Sequence, residues 1–153
     1  MITIEKKDRV SPDISAALLE NAAKQAMAHQ SAPADADLTI VLTDDAQLQQ
    51  LNHDYLDVDA PTDVLSFPSE QIDPETGSRY LGDILVSVPR AALQAAAAGH
   101  SIEAEIQLLV VHGVLHLLGH DHTGVDDKAR MWHDQAEILS QLGLAALKIR
   151  EDG

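Results

Sequence analysis

Three histidines stand in a spacing that suits metal chemistry. His112 and His116 are four residues apart, so on a helix their rings share one face, one turn apart. Gly119 follows, where a helix can end in a left-handed residue and the chain can turn back. His122 comes three residues later and can meet the first two rings from the other side. Three neutral imidazoles around one point make a zinc site with an open fourth position. One Zn2+ per chain is therefore expected, held by His112, His116 and His122. Such an ion lowers the pKa of a bound water and supplies a nucleophile at neutral pH.

A single histidine on an apolar helix is usually a packed core residue. Two at this spacing each need a buried polar partner, which is harder to arrange. His120 competes with His122 for the third place, and the turn spacing favours His122. His29, His53, His100 and His133 are isolated in sequence and read as solvent-facing or structural. The pattern H-x-x-x-H-x-x-G-x-x-H has the spacing of the metzincin zinc-protease motif. Those proteases place Glu directly after the first His as general base, and here that position is Gly113. The pattern keeps the metal cage and lacks the peptidase base.

The elements that must hold these residues can be read along the chain. Ile2 and Ile4 alternate with polar residues as a short strand. Ser11 and Pro12 read as a cap and first residue of a helix with Ile14, Leu18, Ala22, Ala26 and Met27 on its apolar positions. Leu38, Ile40 and Leu42 mark a second strand. Asp44 and Asp45 cap a helix from about Ala46 to Tyr55. Val64 to Phe67 is a strand between prolines, residues 69 to 80 an exposed loop, and Ile84 to Val88 a fourth strand. Pro89 opens an alanine-rich helix that stops near Gly99. Ser101 caps the histidine helix, which runs to about Leu118, and Asp126 and Asp127 begin the last helix, with Met131, Ile138, Leu139 and Leu142 inward. Strands come early and helices late, so the class is α+β. The expected architecture is a small mixed β-sheet of about four strands packed against about five helices, with the three-His site in a cleft. No linker or repeat divides residues 1–153, which read as a single domain.

Composition narrows the options. With 45% hydrophobic residues the chain can build a core. It has no cysteine, which excludes disulfides, thiolate zinc sites and cysteine nucleophiles. Ten Lys and Arg against 25 Asp and Glu give a net charge of −15. Nucleic acid cannot then be held by overall charge; it needs a local cationic cleft or delivery by a partner. Met1 to Val10 has no signal-peptide core, and the apolar stretch Leu108 to Leu118 is too short for a bilayer, so a cytoplasmic location and no membrane partner are expected.

Three blocks carry a family resemblance. His112 to His122 reads HGVLHLLGHDH and matches H-G-x-L-H-L-x-G-x-D-H. Pro61 to Pro68 reads PTDVLSFP, and Leu81 to Ile84 reads LGDI. In this order the blocks resemble the YbeY family of bacterial rRNA-maturation factors, metal-dependent single-strand-specific endoribonucleases, over most of residues 36 to 145. The resemblance implies a mixed sheet packed with helices and zinc ligands at His112, His116 and His122. It implies a zinc-dependent hydrolase acting on rRNA, at the 16S rRNA 3′ end and in ribosome quality control, with rRNA and the ribosome or a ribosomal protein as partners. Asp121 stands between ligands, where it either orients one of them or serves the turn. Asp83 either borders the cleft or fills a buried cap or turn role. Thr62 and Ser66 are candidates for phosphate contact, with strand packing the stronger reading for Ser66.

One position departs from the family. Members usually carry Arg after the Asn-x-x-Tyr that precedes the Pro-Thr block, and here that residue is Leu56. Leucine cannot neutralise a phosphate, so cleavage is weakened unless another cation compensates. Arg79 and Arg90 are the nearest in sequence. Lys6, Lys7, Arg9, Lys128 and Arg130 are the others that the fold could gather. Two other classes of function compete: a peptidase or esterase, and a non-catalytic ribosome-assembly factor with a structural metal. No catalytic acid or base stands out.

Overall fold

The computed structural model describes residues 1–7, 14–33, 35–120, 124–145 and 147. Ser11, Pro12, Asp121 and His122 lie outside the described residues. Four strands form one mixed sheet in the order β1-β2-β4-β3. The strands are β1 (Ile2–Lys6), β2 (Asp37–Thr43), β3 (Val64–Pro68) and β4 (Tyr80–Ser87). β1, β2 and β4 run parallel, and β3 pairs antiparallel to β4 and forms an edge. Five helices complete the described chain: α1 (Ala16–His29), α2 (Asp45–Leu56), α3 (Val88–Ala98), α4 (Ile102–Leu117) and α5 (Val125–Gln141). The expected α+β class and element count stand.

Alternation along the strands assigns the two faces of the sheet. Leu38, Ile40, Leu42, Ile84 and Val86 join the main core with α1, α3, α4 and α5. Val41, Leu65 and Leu85 point the other way and pack under Leu48 of α2. α4 is the centre of the larger layer. Every residue from Ala104 to Leu115 is buried, including the polar Glu105, Gln107 and His112, so the helix is enclosed on all sides. Each fully buried Ile or Leu in it contributes about 1.5–3 kcal/mol relative to exposure.

α4 lies unusually close to β4 because residue 113 is glycine. A Cβ at Gly113 would sit 2.7 Å from Ile84 Cγ2. Helix–sheet packing therefore favours glycine at this position, since any side chain there must displace that of Ile84.

Several expected boundaries shift. α1 begins at Ala16, capped by Ser15, whose side chain accepts from the Leu18 N–H. Leu18 is then exposed, and Leu19 takes the core position. β4 starts four residues earlier than alternation suggested, and Val88 belongs to α3. A bulge between Asp37 and Leu38, opposite Tyr80 and Gly82, breaks the alternation there. The 69–80 loop is exposed as expected and is pinned by an isolated antiparallel bridge between Ile72 and Arg79.

Gly113→Ala is expected to lower stability by about 1–3 kcal/mol through overpacking. Urea unfolding checks this, and in an Ile84→Ala background, which removes all three atoms that the added Cβ would meet, Gly113→Ala should cost less than in wild type.

Candidate metal centre

His112 and His116 are brought together by α4. Their Nε2 atoms are 3.1 Å apart, and their rings meet edge-to-face. Two ring lone pairs tolerate that distance only with a proton or a cation between them. His112 is buried and His116 half-buried. α4 then ends as the sequence predicts. The Gly119 N–H donates to the His116 carbonyl and the His120 N–H to the Leu115 carbonyl, and Gly119 adopts φ +100°. This turn starts the chain back toward α5. His122, the expected third ligand, lies beyond it, outside the described residues.

Sequence reasoning missed Gln135. It is buried on α5, and its side-chain oxygen lies 3.0 Å from His112 Nδ1. A carboxamide oxygen only accepts, so Nδ1 carries the proton and the Nε2 lone pair is left facing His116. Metal-ligating histidines are oriented by such partners. Trp132, one turn earlier on α5, meets the other side of the His112 ring edge-on at 5.8 Å. Lys128 lies over Trp132, with Nζ 5.8 Å from the ring centroid. α5 thus supplies three supports behind one imidazole. The signal for Gln135 was weak: one polar residue on the inner face of an amphipathic helix.

In front of the pair lies a cleft of about 320 Å³, lined by Thr62, Asp63, Val64, Leu65, Ser66, Pro68, His112 and His116. One wall is therefore the PTDVLSFP block on edge strand β3. The Ser66 hydroxyl donates to the Gly113 carbonyl at 3.4 Å, and Thr62 donates to the Val64 carbonyl at 3.4 Å. Both residues line the cleft while serving local structure. Asp83 lies elsewhere. It neighbours Leu85 on the α2 face of the sheet, where it accepts from the Tyr80 hydroxyl, whose oxygen in turn accepts from the Thr39 hydroxyl. Burial, then the bond to Asp83, raises the Tyr80 pKa. Asp83 is half-buried within β4 and does not line the cleft.

The cations are distributed unevenly. Arg90 is committed to Asp45 through two bonds of 2.8 and 2.9 Å, with Ser87 adding a third contact to the carboxylate. Hydrogen bonding from Arg90 holds the Asp45 carboxyl below its usual pKa. Arg79 is exposed at the bridge before β4, and Leu56 is exposed at the end of α2. Tyr55 beside Leu56 packs edge-on against Phe67 of β3, which ties this end of α2 to the cleft wall strand. The histidines read as isolated are not all so. His100 bonds to the fully buried Glu105 at 2.6 Å, while His29, His120 and His133 share carboxylates on α5.

A mixed-sheet α+β domain with a histidine pair at the foot of a cleft is the class these features define. Residues 1–143 match the family model described as Endoribonuclease YbeY. A protein of that name from Roseiflexus castenholzii is 41% identical over 150 residues, covering 95% of this chain and 94% of its own length. One from Halalkalibacterium halodurans is 44% identical over 116 residues, covering 71% of this chain and 73% of its own. The solution structure of TM1509 from Thermotoga maritima superposes with a TM-score of 0.60 at 25% identity, covering 93% of this chain and 89% of that one. The chain belongs to the YbeY family of hydrolytic nucleases.

Two outcomes are expected from this site. Gln135→Leu should keep the fold and weaken binding of a divalent metal at the histidine pair by roughly 10–100-fold, measured by competition with a chelator. Asp45→Asn should cost about 1 kcal/mol near neutral pH, since the pair is partly exposed. A lowered carboxyl pKa adds stability above the unfolded value and loses it as pH falls through the folded value. The gap between wild type and variant in thermal unfolding should therefore close in strong acid.

Proposed function

We propose that this protein is a zinc-dependent, single-strand-specific endoribonuclease that acts in rRNA maturation, at the 16S rRNA 3′ end, and in ribosome quality control. The observation that supports it best is the 3.1 Å approach of two Nε2 atoms whose orientation Gln135 sets, at the foot of a cleft walled by an edge strand. His112 and His116 would hold the ion with His122. When bound, zinc supplies Lewis acidity to a phosphoryl oxygen and to water. The chain's own residues position the substrate. Thr62 and Ser66 present hydroxyls along the cleft wall, and edge strand β3 leaves room for an extended strand beside it. An unpaired RNA can splay out in such a groove, whereas a duplex presents only its outer backbone.

The chain's charge shapes the rest of the proposal. At −15 it repels RNA at long range, and Leu56 gives no phosphate contact at the position where the family usually has Arg. We place the protein on pre-ribosomal RNA in the cytoplasm, with the ribosome or a ribosomal protein supplying part of the affinity. Among the described residues, no helix is long and apolar enough to cross a membrane. A peptidase of metzincin type is disfavoured by packing, because Ile84 occupies the space that a glutamate at residue 113 would need.

Metal-loaded protein should cut a single-stranded RNA and spare the same sequence in a duplex. Chelation, or His112→Ala with His116→Ala, should remove the activity. Cleavage that survives in the double variant and co-purifies with the protein at constant specific activity would refute the site. Leu56→Arg should raise kcat/KM on single-stranded RNA by about tenfold, the scale of one hydrogen bond to a charged group. It should also steepen the salt dependence by about one counterion.

A further inference from the structure

A second cluster of metal-binding side chains lies where α1, α4 and α5 converge. His29 ends α1, Gln30 follows it, His120 follows α4, and Asp134 and Glu137 stand one turn apart on α5. One ligand atom each from His29, Asp134 and Glu137 lie within 4.8 Å of one another. His29 Nε2 is 3.3 Å from Glu137 Oε1. That is about the distance between two ligands each roughly 2.0–2.1 Å from one tetrahedral ion. These are not merely exposed carboxylates. The His29, His120 and Asp134 side chains are only 15%, 11% and 18% exposed. His120 Nε2 is 3.5 Å from Asp134 Oδ2, and His133 Nε2 is 3.1 Å from Glu137 Oε1, so further ligands stand at the margin.

The hydrogen bonds here centre on Gln30. Gln30 Nε2 donates to His29 Nδ1 at 2.9 Å and to Asp134 Oδ2 at 3.1 Å, and its Oε1 accepts from His120 Nε2 at 2.7 Å. With Nδ1 accepting, the His29 proton is on Nε2 and faces Glu137. The Gln30 amide donor thus fills the place between imidazole and carboxylate. Turning that amide by half a rotation presents Oε1 to His29 Nδ1 and the amide donor to His120. The His29 proton then belongs on Nδ1, and the Nε2 lone pair faces the carboxylates. That turn makes His120 Nε2 the acceptor and takes the amide donor away from Asp134 Oδ2, whose lost hydrogen bond a cation joining His29, Asp134 and Glu137 replaces.

We propose that this cluster is a second zinc site, distinct from the histidine pair in the cleft, and that it clips the end of α1 to α5. Its position gives it a structural consequence. α5 carries Gln135 and Trp132, so an ion on its neighbours Asp134 and Glu137 holds the helix that orients His112. The net charge of −15 also favours a cation over an anion at this surface.

Chelator-stripped protein is titrated with Zn2+ alone, reading bound equivalents and melting temperature. Wild type should bind roughly two equivalents with micromolar affinity. His29→Gln with Glu137→Gln should bind one fewer and lose a stabilisation of roughly 5–10 °C. The pair His112→Ala and His116→Ala should keep the equivalent that the cluster variant loses. If wild type binds one equivalent that disappears only with the cluster, this proposal stands and the cleft zinc fails. If the cluster variant matches wild type in stoichiometry and melting response, or if that equivalent binds only at millimolar zinc, the proposal is overturned. Glu137→Gln alone, at a half-exposed position, gives the same readout should the double variant fold poorly.

Discussion

The contact between Gly113 and Ile84 sets the rest of the molecule. Without a side chain at that residue, α4 lies flat on β4, and its whole middle is buried between the sheet and the other helices. The same approach puts Ser66 of the edge strand within reach of the Gly113 carbonyl, and the cleft opens between that strand and the next turn of α4. His112 is carried into the interior by the helix, where an imidazole must have a polar partner on its far nitrogen. Gln135 provides it. A packing constraint and a hydrogen-bonding constraint thus meet at one ring, and together they leave its Nε2 turned toward His116.

Electrostatics follow a similar economy. Arg90 is bound to Asp45, Lys6 donates to the Ile14 carbonyl, and Lys128 lies over the indole behind His112. Each of these cations has a structural or local task. Leu56, exposed beside the Tyr55 contact to β3, is the place where one more cation would act.

The parts of this arrangement that were legible in sequence were local. A spacing of four on an apolar helix, a glycine three residues on and the serine cap at Ser101 depend on near neighbours and the 3.6 period, whereas the Ser87 cap of α3 was read as part of the preceding strand. Gln135 was not legible, because nothing nearby says that it meets a residue 23 positions earlier. The cluster at His29 draws on three helix ends or faces far apart in the chain, which is why its histidines looked isolated. The early start of β4 was hidden by the bulge at Asp37, which interrupts alternation, and the start of α1 moved because Ser15 caps it better than the upstream pair suggested. Gly113 read as a missing base in sequence; in the fold it is a steric requirement.

The central claim is that Gln135 directs the His112 Nε2 lone pair onto a metal position shared with His116. The direct measurement is imidazole 15N NMR on chelator-stripped protein, before and after excess Zn2+. Before zinc, His112 should be protonated on Nδ1. After zinc, the Nε2 signals of His112 and His116 should shift together while the Nδ1 proton of His112 is retained. A His112 ring protonated on Nε2 in the metal-free protein, or Nε2 signals that do not respond to zinc, would contradict the account.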